Sequence, residues 1–244
     1  MSKLSVIGIL LIIALFSVFY FRKYNRTTIM GTGNVTKEER AVTGFSKLVL
    51  NGVFKTVISQ DGGPASVRVE TDQNLQKTVE VKNEGETLEI STKEGFNFNN
   101  PSKMVVYVNV KDLSSISNKS IGAVESDGTI KATDLYLKDD AVGKMNLSLD
   151  VQKLTAVLNA VGTTTLTGSA TVADFDNNSV GKLSAEDLKV DTLTIKNNAV
   201  GKVEVYAEKE ISIDHNGVGT LHYHGPATVT RLKDNGVGKV SKAD

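Results

Sequence analysis

The sequence predicts an all-β protein built as a parallel β-helix of roughly 19-residue coils, with an irregular N-terminal β cap and an N-terminal transmembrane helix. Three observations predict this. A Val-Gly dipeptide, once Ile-Gly, recurs seven times; apolar and polar residues alternate with period 2 between the recurrences; and an uncharged run of 18 residues stands near the N-terminus.

The N-terminal run is Leu4 to Phe21. As a helix it spans roughly 27 Å, close to a bilayer core of about 30 Å. It ends in Phe19, Tyr20 and Phe21, then Arg22 and Lys23, without the small-residue site of a cleaved signal peptide. It is therefore read as a single-pass anchor with an aromatic interfacial belt, a cleaved signal peptide being the alternative. Arg22, Lys23 and Arg26 outnumber Lys3 and the terminal amine by one charge, so the positive-inside count only weakly favours a cytoplasmic C-terminal side. Residues 1–26 form the anchor and its basic flank, and residues 27–44 a linker leading into the head.

Residues 45–112 do not follow the 19-residue period and are expected to cap the solenoid. Strands are expected at Lys47–Leu50, Phe54–Ser59, Ser66–Glu70, Thr87–Ser91 and Met104–Val110, with a hairpin turning at Asn83-Glu84-Gly85-Glu86 and a short helix within Asp72–Thr78. A solenoid needs such a distinct end to shield its edge. Phe96 and Phe98, in a polar loop, are either a ligand platform or an anchor into the cap.

Residues 113–244 carry the repeat. Its glycines are Gly122, Gly143, Gly162, Gly181, Gly201, Gly219 and Gly238, spaced 21, 19, 19, 20, 18 and 19 residues apart. Three residues before each stand Lys119, Asp140, Asn159, Asn178, Asn198, Asn216 and Asn235, so the strongest form of the motif is N-x-V-G. Two residues after each come Val124, Met145, Thr164, Leu183, Val203, Leu221 and Val240, mostly apolar and followed by polar residues. That alternation marks strands with one buried face. The period is too short for helical repeats and lacks the leucine-rich frame. Stacked coils turn equal positions into ladders. The valines of N-x-V-G are expected inside and the asparagines at a corner. The last coil completes only its first strand, Lys239–Ser241. Self-association through this C-terminal coil is one expectation, and protection of its edge by Lys239, Lys242 and Asp244 the other.

Lys and Arg number 28 and Asp and Glu 28, so the net charge is zero; the part after residue 26 has 24 basic against 28 acidic residues. That balance offers no basic footprint for nucleic acid. The chain has no cysteine, which excludes disulfides, thiolate metal sites and a cysteine nucleophile. Glu186 with Glu204, and Asp139 with Asp140, are the best carboxylate pairs for glycoside chemistry. His222 and His224 beside Glu204 and Tyr206, with His215 across a turn, are the best candidate for a zinc constellation. Neither set is read as a site: no catalytic, cofactor-binding or metal residue is expected.

Gly31-Thr32-Gly33-Asn34-Val35, then Glu38-Glu39-Arg40, then Gly44-Phe45-Ser46-Lys47-Leu48-Val49-Leu50, followed by the N-x-V-G coils, resemble the family described as "putative auto-transporter adhesin, head GIN domain". The resemblance covers residues 31–240. It implies a single-stranded right-handed β-helix, a cell-envelope location with the solenoid exported, and a bacterium of the Bacteroidetes type. It supplies no catalytic residue, and no translocating barrel follows the coils in this sequence. The expected function is a non-catalytic, membrane-anchored envelope protein, an adhesin-like binding or scaffold module for a protein or glycan ligand. A carbohydrate-processing enzyme and an oligomerising assembly or signalling spacer are the alternatives.

Overall fold

The structure is a computed structural model that describes residues 27–243. Among them no helix is long and apolar enough to cross a membrane. The expected transmembrane segment, Leu4 to Phe21, lies outside the described residues.

The repeats wind into a β-solenoid. Ile121–Asp139, Val142–Leu158 and Val161–Asn177 each run almost a whole coil as one bent strand. Later coils break into pairs, Val180–Ala185 with Leu188–Asn197, then Val200–Tyr206 with Glu210–His215, then Val218–His224 with Thr228–Asp234. Every coil pairs in parallel with the next, and the seven glycines of the motif stack in register. Where the interval is 21 residues instead of 19, the register shifts between Glu125 and Thr129, which absorbs the excess without disturbing the glycine row. The coils close on one continuous apolar core that includes Ile130, Leu137, Leu149, Leu154, Leu166, Phe175, Ile195 and Ile213.

The segment expected to be a cap also builds coils, and in an order the period does not reveal. Lys47–Asn51 lies between Thr87–Thr92 on one side and Ser115–Asn118 on the other, parallel to both. Lys55–Ser59 lies likewise between Met104–Asn109 and the start of the Ile121 strand. The chain thus lays down one rung, passes to the outside, lays the next rung beneath it, and crosses back to continue the stack. The excursion makes the end cover. Val35–Arg40 and Met104–Asn109 flank Ser66–Asp72 as antiparallel strands, Val79–Glu84 forms the expected hairpin with Thr87–Thr92, and a 3-10 turn spans Gln76–Thr78.

Asp72 ties this cover to the Gly-Thr-Gly-Asn segment. Its buried carboxylate accepts hydrogen bonds from the Gly33 N–H (2.6 Å), the Ser102 N–H (2.8 Å) and the Ser102 hydroxyl (3.1 Å). Burial pushes its pKa up, but these donors outweigh burial and hold it below the ordinary carboxylate range. A Cβ on Gly31 would stand 2.6 Å from Asp72 Oδ2, which explains the glycine. Phe98 packs against the core, and its strand, Phe96–Asn99, pairs with Thr27–Met30.

Candidate binding surface

The N-x-V-G motif forms a corner with three ladders. The outermost is asparagine. Asn159 donates to Asp140 Oδ1 (2.7 Å), Asn178 to Asn159 (3.2 Å), Asn198 to Asn178 (2.8 Å), Asn216 to Asn198 (3.4 Å) and Asn235 to Asn216 (3.2 Å). Each amide joins its coil to the one below, so the asparagines hold the corner as expected.

The second ladder corrects an expectation. Val142, Val161, Val180, Val200 and Val218 are each 48–50% exposed, and Ile121 and Val237 more so. They point outward, not into the core. Parity gives the reason. The buried positions lie two and four residues after the glycine, and Ala141, Ala160, Ser179 and Ala199, two before it, are buried as well. The valine occupies the odd position between, and alternation turns it to solvent. The seven side chains make an aliphatic stripe roughly 29 Å long at about 4.8 Å per rung. Val180→Asp is therefore expected to fold, losing only about 1 kcal/mol of β-strand preference; a thermal melt by circular dichroism checks this.

The third ladder is polar and buried, and the sequence reading missed it. Four residues before the glycine stand Asn118, Asp139, Asn177, Asn197 and His215, all at most 2% exposed, interrupted by Leu158. Asn118 Nδ2 donates to Asp139 Oδ1 (2.9 Å), and Asn177 Nδ2 to Asn197 Oδ1 (2.9 Å). Asn197 Nδ2, its oxygen already engaged, lies 2.9 Å from His215 Nδ1 and donates to it, which assigns the imidazole proton to Nε2. Asn118 and Asn177 also accept the N–H two residues on, from Ser120 (3.1 Å) and Ser179 (3.3 Å), and so close the corner from inside. The available signal was the Asn, Asp or His repeated beside the outer asparagine. Asp139 carries a carboxyl, with the Asn118 amide on one side and Leu158 on the other. Burial pushes its pKa up to about 6, only partly opposed by hydrogen bonds from Asn118, the Ala141 N–H and Thr164.

The candidate chemistry residues do not converge. Asp139 points inward and Asp140 outward, where Asp140 pairs with Lys138 at 3.3 Å. Glu186 accepts the Ser184 hydroxyl at 2.8 Å and shares Lys182 (4.0 Å) with Glu204 (3.5 Å). Lys202 at 2.9 Å holds the Glu204 carboxyl below its usual range; burial opposes this, and Lys182 adds to it. An ion-paired carboxylate of that kind is a poor general acid. His222 Nδ1 lies 3.8 Å from Glu204 Oε1, and His224 Nε2 is buried with no hydrogen-bond partner among the described residues. His215 is engaged in the inner ladder, apart from both. Among the described residues no three His, Asp or Glu side chains are grouped to hold a metal.

Solenoid, asparagine corner and aliphatic stripe define a repeat-built, β-solenoid class of protein. The chain matches the family described as "putative auto-transporter adhesin, head GIN domain" over residues 44–227 and belongs to it. Solved structures share the fold. A "putative adhesin" from Bacteroides fragilis is 24% identical, with 88% of this chain and all of that one aligned at a TM-score of 0.85. A "putative lipid binding protein" and a "putative adhesin", both from Parabacteroides distasonis, are 20% and 23% identical, each covering 89% of this chain and all of theirs, with TM-scores of 0.69 and 0.63. No curated protein matches the chain.

Proposed function

We propose that the chain is a non-catalytic, adhesin-like envelope module: Leu4 to Phe21 anchors it in a membrane, and the solenoid is exported as a rigid binding head. The observation that carries this reading is the stripe from Ile121 to Val237. Seven aliphatic side chains, each about half exposed or more, stand in one line. Aligned exposed apolar groups mark contact surfaces far more often than scattered ones do. Family membership supports an envelope setting, and the ion-paired Glu186 and Glu204 support a head that binds without turning over its ligand.

Fractionation of the producing bacterium tests the reading. The full chain is expected with the membranes and its head to be cut by protease added to the outside of the cell; a chain lacking residues 1–26 is expected to leave the membrane fraction. Head domains protected inside intact cells, or release of new reducing ends from a polysaccharide, would overturn it.

A further inference from the structure

We infer that the head carries a second surface, a groove for a neutral oligosaccharide lying along the solenoid axis; this rests on the binding-module reading and names a ligand class for it. The groove, about 630 Å³, crosses four successive coils on a bend away from the asparagine corner. Its floor is Ala132, Val151 and Ala170, stacked in register, with the last two buried. These small side chains keep the floor low. One rim is Lys131, Asp150, Ser169 and Lys189, again in register. The residues just after the floor, Thr133, Gln152, Thr171 and Asp191, form the other.

Three properties of the groove select its ligand. First, the two middle coils are paired in parallel on both sides; at one end the Gln60 amide accepts the Lys131 N–H (2.6 Å) and donates to its carbonyl (3.2 Å), and at the other the Glu208 and Lys209 N–H groups donate to the Val190 and Asp191 carbonyls, so a peptide finds no open strand edge to extend. Recognition must come from side chains. Second, charge is balanced locally. Lys131 lies 3.9 Å from Asp150, Asp191 is bound by Lys209 at 2.8 Å, and Lys189 stacks 3.6 Å from the Tyr206 ring centroid. A polyanion finds no concentration of cations, and a lipid chain finds polar rims. Third, the side chains of Asp112, Thr133, Gln152 and Thr171 line the groove and make no hydrogen bond or ion pair among the described residues. They offer hydroxyl, amide and carboxylate groups to a ligand lying along the groove. The hydroxyls of a sugar chain, each both donor and acceptor, present the complement. The rungs repeat about every 4.8 Å, so a ligand built from repeating units meets similar groups on successive coils.

Binding to the full chain in detergent micelles tests this. The probes are maltohexaose, cellohexaose and N-acetylchitohexaose, with polygalacturonate as the charged comparison. At least one neutral oligomer is expected to bind saturably. Gln152→Ala with Thr171→Ala, both at exposed positions, is expected to weaken it roughly tenfold or more, while Lys82→Ala, exposed on the hairpin of the end cover, leaves it unchanged. Circular dichroism confirms that the variants fold. Absence of binding by all three neutral oligomers, binding confined to polygalacturonate, or binding indifferent to the groove pair would overturn the inference. A membrane-held, protease-accessible head would still support the binding-module reading in each case.

Discussion

A Gly162→Ala chain is expected to lose about 4 kcal/mol or more of folding stability, within the range that marks a specific structural lesion. Gly162 has φ +144°, and a Cβ there would collide with the Gly143 carbonyl oxygen of the coil below. The same collision recurs with Gly181 against Gly162 and Gly201 against Gly181, so the row is a continuous close approach of backbone to backbone. The obstacle is a carbonyl held in the ladder, which cannot swing away as a side chain end does. Relief would require the coils to separate, and separation opens the parallel hydrogen bonds on both sides. A fall in Tm of roughly 10 °C or more is expected, measured against a control such as Thr163→Ala on the same strand. A Gly162→Ala chain that melts with the wild type would show that the coils are not stacked this closely.

The second large effect is a gain. The Asp139 carboxyl is protonated in the folded chain up to about pH 6, whereas its ordinary value is 3.8. Below pH 3.8 both folded and unfolded chains hold the proton and the site costs nothing. As pH rises towards 6 the unfolded chain ionises first, so the folded state loses stability across that window and stays penalised above it. A displacement of about two pKa units corresponds to roughly 3 kcal/mol. Asp139→Asn removes the titration and restores the amide found in this ladder at Asn118, Asn177 and Asn197. Its oxygen can still accept from Asn118 Nδ2, and its new N–H group faces the Thr164 hydroxyl that now donates to Asp139 Oδ2 at 3.4 Å. The variant is expected to gain about 3 kcal/mol at pH 7, to match the wild type near pH 3.5, and to lose the wild-type decline between pH 4 and 6. Urea unfolding at three pH values reads all of this. Lower stability than the wild type at pH 7 would contradict the burial argument.

These two sites show how far the residues spoke for themselves. The solenoid was legible because Gly122 to Gly238 recur at nearly constant spacing, and a stacked coil tolerates little variation in length. The asparagine corner was legible because Asn159, Asn178, Asn198, Asn216 and Asn235 repeat as a type that suits turns. The orientation of Val161 and Val180 was misread because hydrophobicity was allowed to override parity: counting back in twos from Leu166 and Thr164 reaches Gly162 and Ala160, never Val161. The inner ladder went unseen because Asn177, Asn197 and His215 sit directly beside outer asparagines, where a polar pair reads as one exposed turn. The placement of Lys47–Asn51 between two later strands was beyond any periodic signal, since the insertion from Ser66 to Glu84 separates strands that lie side by side. The groove was illegible for a related reason. Ala132, Val151 and Ala170 are ordinary singly and acquire meaning only when stacking sets them in one row.

The apolar residue that recurs beside each motif glycine faces outward, and the reading of the stripe depends on that orientation. The chain has no cysteine, so single-cysteine variants report accessibility without background. Maleimide labelling of Val180→Cys and Leu183→Cys under native conditions is the most direct measurement. Val180→Cys is expected to label fully without denaturant and Leu183→Cys only after unfolding; a protected Cys at 180 together with a reactive one at 183 would contradict the account.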